Sequence, residues 1–179
     1  MTQISRLIPI ILCLFAITPF KGHGQNPEAP QYSKAMLLAA AREITDASGT
    51  CALITLDDQS IPMVRIMEPF PPEKDFTVWF GTKAESRKVK QIKNNPKVTL
   101  FYQDSDDTGY VVIHGTAQII DNEQEKQKWW KDSWEAFYPN NRAGFTLIKV
   151  SPDWMEILSV SRDIIGDSIT WETPVVRFN

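Results

Sequence analysis

The chain has 179 residues, of which 42 % are hydrophobic and 11 % aromatic, and its formal net charge at pH 7 is −3. This length suits one domain, and the apolar content is enough for a core, which excludes a disordered or fibrous protein. A mildly acidic chain also lacks the basic surface that nucleic-acid binding requires.

The first 24 residues have the pattern of a secretory signal peptide. One arginine precedes an apolar stretch at 7–20, and small residues follow at 22–24. The stretch is shorter than the roughly 20 apolar residues of a membrane span, although an uncleaved anchor is left open. We therefore expect a signal peptide at 1–24, a tether at 25–32, one domain at 33–179, and export to the periplasm or the medium.

The remaining chain alternates strand signals with helix signals. Apolar residues at helical spacing predict a helix at 33–47, which Ser33 caps, and further helices at 85–94 and 122–138. Strands are predicted at 50–56, 62–67, 75–80, 98–102 and 110–120, then as a pair or one bent strand at 145–158, and last at 171–178. Six or seven strands joined mostly by short turns indicate an antiparallel barrel with helical cover.

The helix predicted at 122–138 carries an aromatic stripe. Trp130, Trp134 and Phe137 recur at intervals of four and three residues. Such a stripe is typical of core packing, and a ligand platform is the alternative. Cys51, the one cysteine beyond residue 24, lies in an apolar strand and is predicted to be buried and unreactive. Neither an internal disulfide nor a zinc site is therefore expected.

The helix predicted at 85–94 begins with cations. Arg87 and Lys88 lie in its first turn, where a helix already has a partial positive charge and unpaired amide hydrogens. Each cation costs roughly a few tenths of a kcal/mol there unless an anion binds. A phosphate held by the helix start, the Ser86 hydroxyl and both side chains would offset this cost. A solvated basic face is the alternative.

Arg65 is a second cation without an evident partner. It interrupts the apolar run MVRIM in a predicted strand, where a buried guanidinium needs a charged partner. One phosphate shared with Arg87 and Lys88 would provide that partner. The alternative is an arginine that reaches water or pairs with Glu68 or Glu43.

Several motifs resemble one known family. WFGT at 79–82, SRK at 86–88 and IKNNPKVTL at 92–100, with the arginine strand before them, are similar to the signature of the pyridoxamine 5'-phosphate oxidase-like, FMN-binding split-barrel superfamily. Its general-stress-type flavin-binding branch is the most similar. The strand at 110–115, and VSP at 150–152 followed by Glu156, extend the resemblance over most of the chain after the tether. This likeness implies a six-stranded antiparallel split β-barrel with covering helices and a homodimer with flavin between the subunits.

The resemblance also implies a set of FMN contacts. The implied cofactor-binding residues are Arg65, Ile66, Met67, Thr82, Ser86, Arg87, Lys88 and Tyr110. Of these, Arg65 and residues 86–88 match the family's phosphate ligands, and Tyr110 stands where the family has a flavin-contacting glutamine. Because the flavin carries the hydride chemistry, no catalytic acid or base is required of the chain, and no catalytic residue is assigned.

Other positions depart from the family pattern. Phe70 stands at the place of a substrate lysine, and Leu158 at that of a tryptophan, although Trp154 lies near in sequence. The residues that grip pyridoxal phosphate in the true oxidases are missing, so vitamin B6 oxidation is not expected. We expect an exported FMN-dependent oxidoreductase for an unknown small molecule, with Trp129 and Trp154 beside the substrate.

Two other functions are left open. A carrier or sensor that binds flavin without turnover is consistent with the loss of the substrate lysine. Haem binding is known among split-barrel relatives, and His114 is the sole candidate ligand beyond residue 24. Its place in an alternating strand favours ordinary packing instead. No metal ion, no nucleic acid and no stable membrane span after processing are expected.

Overall fold

The structure, a computed structural model, describes residues 32–106, 108–138 and 143–178. The predicted signal peptide and the tether up to residue 31 lie outside these ranges. The α-helices are α1 (Lys34–Ala47), α2 (Arg87–Asn94) and α3 (Glu123–Lys128). The strands are β1 (Cys51–Leu56), β2 (Pro62–Met67), β3 (Val78–Lys83), β4 (Lys97–Gln103), β5 (Gly109–Ile120), β6 (Phe145–Ser159) and β7 (Val175–Arg177). Within the described ranges, none of the helices is long and apolar enough to cross a bilayer.

All seven strands form one antiparallel sheet. Its order is β2-β1-β4-β5-β6-β3. β5 pairs with one edge of β6, and β3 and β7 pair with successive parts of the other edge. The 15 residues of β6 form one strand, which pairs with β3 in its first part and with β7 in its second. The sheet begins at β2 and ends at β3 without closing, so the predicted antiparallel split-barrel fold with covering helices is confirmed.

The strands have an inner, buried face and an outer face. Four fully buried residues lie opposite one another on neighbouring strands, namely Leu53, Leu100, Ile113 and Met155. Helix α1 covers this inner face with a stripe at helical spacing, formed by Leu37, Ala40, Ala41 and Ile44. Ser33 caps α1 as predicted, because its Oγ accepts a hydrogen bond of 3.2 Å from the Met36 amide.

The prediction of a helix at 122–138 is wrong in its second half. α3 ends at Lys128, and a short 3-10 turn follows at Asp132–Trp134. Trp129 stacks on Trp79 at 5.1 Å between ring centroids, while Trp130 packs on Phe145 at 5.3 Å. Each of these large rings has a packing partner on a different strand, and the helix ends at this point of the chain. Phe137, which the predicted stripe would bury, is 65 % exposed.

Turns displace one predicted strand and shorten another. The third strand begins three residues after residue 75, because the Asp75 carboxylate accepts hydrogen bonds from the amide and hydroxyl of Thr77 at 3.0 and 3.1 Å. Phe76 there has a left-handed φ of 64°. The last strand is limited to β7 because Trp171 has φ 61° and donates its amide to the Asp167 carbonyl, which closes another turn.

Candidate anion-binding site

Helix α2 begins beside an unpaired buried hydroxyl. Ser86 is its N-cap residue, but the Ser86 Oγ accepts no capping hydrogen bond and is buried without a partner among the described residues. The first turn has no acidic side chain and instead carries Arg87 and Lys88. Because the helix start adds its own partial positive charge and free amides, this segment presents several unpaired groups to an anion.

The Arg65 side chain reaches α2 from β2. Arg65 lies opposite Leu53, so it points to the inner face of the sheet. Its Nη1 donates to the Thr55 Oγ1 at 2.7 Å, and its Nη2 donates to the Gln91 Oε1 at 2.9 Å. Both acceptors are neutral. Desolvation lowers the pKa of Arg65, and the positive charge of Arg87 lowers it further.

Lys88 turns toward the same place. Its Nζ donates to the Oγ1 of Thr82, a buried residue on β3, at 3.0 Å. Desolvation lowers the pKa of Lys88, and the charges of Arg65 and Arg87 add to this effect. The three charges therefore lie close enough to repel one another, and we call Arg65, Arg87 and Lys88 the cationic cluster.

The cationic cluster has no ion pair with a carboxylate of the described residues. Glu68 and Glu43 were alternative partners of Arg65. Glu68 instead pairs with Lys131 at 2.7 Å, and Glu43 pairs with Arg162 at 2.9 Å. Three uncompensated positive charges around a free hydroxyl suit an anion with two negative charges, and phosphate fits this donor set.

The other predicted cofactor residues lie apart from the cationic cluster. Ile66 points to the outer face of β2, where it is 69 % exposed. Met67 packs partly buried against the core. Tyr110 lies on the outer face of β5, since it is three positions before the inward-facing Ile113 and side chains alternate along a strand. Its ring centroid is 5.6 Å from that of Phe101. The structure thus places Thr82 and Ser86 with the cluster but Tyr110 on the other side of the sheet.

Thr55 and Gln91 belong to this site but were not predicted from the sequence. Gln91 is 8 % exposed on the packed side of α2. Its Oε1 accepts a hydrogen bond of 2.7 Å from the Thr55 Oγ1 in addition to the one from Arg65. Gln91 is two positions from Val89 and one from Ile92, so it lies off the apolar stripe of α2, and no local pattern marked it as buried.

Phe70 lies in an aromatic cluster on the outer face of β3. Its ring centroid is 4.9 Å from that of Trp129 and 5.7 Å from that of Trp134. Gly81 permits this packing, because a Cβ there would lie 2.4 Å from the Trp134 ring. Trp129, predicted to lie beside the substrate, is thus packed against other aromatic rings.

His114 and Trp154 lie on the outer face at a cleft of about 340 Å³. Their rings stack with centroids 3.8 Å apart. The His114 Nδ1 is 3.2 Å from the Thr99 Oγ1, and its Nε2 is 3.3 Å from the Glu156 Oε1. Both ring nitrogens have protein partners, so His114 presents no free nitrogen to a haem iron.

Several solved structures share this fold. General stress protein 26 from Bacillus anthracis is 24 % identical over 79 % of this chain and 98 % of its own, with a TM-score of 0.62. A protein related to general stress protein 26, from Clostridium acetobutylicum, is 18 % identical over 79 % and 94 %, with a TM-score of 0.65. A pyridoxamine 5'-phosphate oxidase-related, FMN-binding protein from Nostoc punctiforme is 14 % identical over 84 % and 100 %, with a TM-score of 0.59.

At these identities the likeness establishes the fold, and no curated protein matches the sequence. The model of the family described as "Pyridoxamine 5'-phosphate oxidase like" matches residues 38–163. This range includes β1 to β6 and the whole cationic cluster. The chain therefore belongs to the pyridoxamine 5'-phosphate oxidase-like family and shares the fold of these solved structures.

Proposed function

We propose that the chain is an exported FMN-binding protein that acts as an oxidoreductase on a small molecule. The cationic cluster carries this proposal, because its three charges and the unpaired Ser86 Oγ have no anionic partner among the described residues. A phosphate monoester has about two negative charges at neutral pH and three acceptor oxygens. Family membership and the FMN-binding protein from Nostoc punctiforme support FMN as the source of that phosphate.

The cationic cluster and Ser86 would bind the phosphate, while Thr82 and the backbone at Ile66 and Met67 would line the flavin. When bound, FMN supplies hydride transfer at its ring. The chain would contribute orientation and a positive field, because Arg65 and Lys88 are already held in place by hydrogen bonds. Tyr110, which lies on the outer face, would contact the flavin of a partner subunit.

A homodimer is part of the proposal. Ile66, Ala52 and Phe101 form an apolar row across three neighbouring strands of the outer face, and Val64 beside them is 64 % exposed. Such a surface favours burial against a second copy of the chain. Val64→Glu should convert dimers to monomers in sedimentation experiments. A variant that stays dimeric would place the interface elsewhere.

Flavin titration separates phosphate recognition from ring recognition. Arg65→Ala and Arg87→Ala should each weaken FMN binding by about 1.5–3 kcal/mol, the contribution of a hydrogen bond to a charged group. Riboflavin, which lacks the phosphate, should bind almost unchanged. Lys90→Ala is the matched control, because Lys90 lies on the same helix with a side chain 72 % exposed and paired with Asp58. Equal weakening of both flavins would contradict the phosphate assignment.

A flavin carrier or sensor without turnover is the second candidate. The packing of Phe70 against Trp129 and Trp134 favours it, because Phe70 occupies the place that the family resemblance gives to a substrate lysine. Bleaching of the bound flavin by a reduced nicotinamide, followed by recovery in air, would support the oxidoreductase. A flavin that stays oxidised with every nicotinamide and thiol donor would support the carrier.

Export is proposed from the pattern of residues 1–24. Arg6 stands alone, so the segment is not a twin-arginine signal that would transport a folded, loaded protein. We therefore propose that FMN is captured after translocation. The mass of the purified mature chain tests processing, and a chain that keeps residues 1–24 in the cytoplasmic fraction would contradict export.

A further inference from the structure

Gln91 connects the two elements that carry the cationic cluster. Its Oε1 accepts hydrogen bonds from the Thr55 Oγ1 at 2.7 Å and from the Arg65 Nη2 at 2.9 Å. Arginine only donates, so the Gln91 atom that faces it must be the amide oxygen. On α2, Gln91 follows Arg87 by one helical turn, which holds the Arg65 guanidinium beside the helix start.

The acceptor at position 91 is neutral, although a carboxylate of nearly the same shape would bind arginine more tightly. A partly buried guanidinium usually pairs with a carboxylate, as Arg162 does with Asp104 at 2.6 Å. An amide orients the guanidinium but leaves its charge uncancelled. The cationic cluster therefore keeps all three of its positive charges for a ligand.

We infer that Gln91 sets the charge selectivity of the site, because it orients Arg65 without neutralising it. The site then prefers a phosphate monoester in its doubly charged form over neutral or singly charged analogues. This inference rests on the proposed function, in which the cationic cluster binds a phosphate. A glutamate at position 91 would form an internal ion pair with Arg65 and compete with the ligand.

The substitution Gln91→Glu should have two effects of opposite sign. The ligand-free protein should melt at a higher temperature, because Arg65 gains a charged partner. The dissociation constant of FMN should rise by about tenfold to a hundredfold, the range for one hydrogen bond to a charged group, and that of riboflavin by less than about twofold. A residue that only supports the fold would move stability and affinity in the same direction. A lower melting temperature would overturn the inference, as would an unchanged ratio of the two dissociation constants where the wild type prefers FMN to riboflavin.

Gln91→Met tests the positioning role separately. Methionine keeps the apolar contacts of this helix face but accepts no strong hydrogen bond from Arg65. FMN binding should weaken because the guanidinium loses its orientation, while the melting temperature should not rise. FMN binding as tight as in the wild type would overturn the positioning role.

Inorganic phosphate distinguishes a failure of this inference from a failure of the proposed function. A wild type that binds FMN and riboflavin equally would refute the proposed FMN site. The inference would still hold if phosphate, compared with chloride at equal ionic strength, raised the melting temperature of the wild type more than that of Gln91→Glu. The inference would be overturned if the wild type and Gln91→Glu responded equally to phosphate and also responded equally to FMN.

Discussion

Arg65 and Arg162 are both partly buried arginines, but their surroundings are opposite. Arg162 binds two carboxylates, with its Nη1 at 2.6 Å from Asp104 and its Nε at 2.9 Å from Glu43. The hydrogen bond to Glu43 and the one to Asp104 raise the pKa of Arg162. Arg65 has neutral acceptors, and desolvation together with the charge of Arg87 lowers its pKa.

This difference separates an arginine that stabilises the fold from one that is open to a ligand. Arg162 compensates a carboxylate whose side chain is 2 % exposed and ties the end of β6 to the turn after β4 and to α1. Arg65 compensates no carboxylate among the described residues, and its charge adds to those of Arg87 and Lys88. The carboxylate partners, which Arg162 has and Arg65 lacks among the described residues, thus distinguish the two arginines, and the opposite directions of their pKa shifts follow from this difference.

Arg162→Met should cause the largest loss of stability. The variant leaves the Asp104 carboxylate buried without its partner, which should lower the free energy of unfolding by about 3–5 kcal/mol. Urea unfolding at neutral pH measures the loss. Adding Asp104→Asn to this variant should restore part of it, because the buried charge is then removed as well. A loss below about 1 kcal/mol, the range of an exposed ion pair, would show that Arg162 is not a structural arginine.

Local patterns in the sequence predicted most of the sheet. Alternating apolar residues and turn residues placed β1, β2, β4 and β5 within one residue of their observed ends. The errors arose where distant contacts decide the local structure. At the end of α3, Trp129 and Trp130 pack on Trp79 of β3 and Phe145 of β6, which are distant in sequence.

The candidate site was predictable only in part, for a related reason. A cation without a local partner is visible in the sequence, so Arg65, Arg87 and Lys88 could be singled out before their positions were known. Thr55 and Gln91 could not, because their roles depend on how α2 crosses β1, and no local pattern specifies that crossing. The outer-face position of Tyr110 likewise follows from strand register.

Arg65→Met should change the stability of the ligand-free protein far less than Arg162→Met. The change in the free energy of unfolding should stay below about 3 kcal/mol, because the Arg65 hydrogen bonds end on neutral acceptors and the variant leaves no buried carboxylate without a partner. Relief of the repulsion from Arg87 offsets part of that loss. The same urea experiment applies. A loss of about 3 kcal/mol or more would remove the distinction between the two arginines.

The smallest expected effect is a pH dependence of the free energy of unfolding that arises from Lys88. Desolvation and the charges of Arg65 and Arg87 hold its pKa in the folded chain below that of an unfolded lysine, which is about 10.4. Charged Lys88 therefore lowers the free energy of unfolding. This loss is complete below the folded pKa of Lys88 and disappears as the pH rises through it, because the neutral form of the lysine then becomes populated. As the pH rises toward about 10.4, the free energy of unfolding of the wild type should therefore rise relative to that of Lys88→Met.

Comparing the wild type with Lys88→Met at each pH cancels the titration of the lysines and tyrosines that the two chains share. Saturating inorganic phosphate is the control, because a dianion beside Lys88 favours its charged form and should flatten or reverse the trend. If the ligand-free wild type instead lost stability relative to Lys88→Met as the pH rose, Lys88 would have an acidic partner. The cationic cluster would then have its counterion within the fold, as Arg162 does, and no charge would remain for a phosphate.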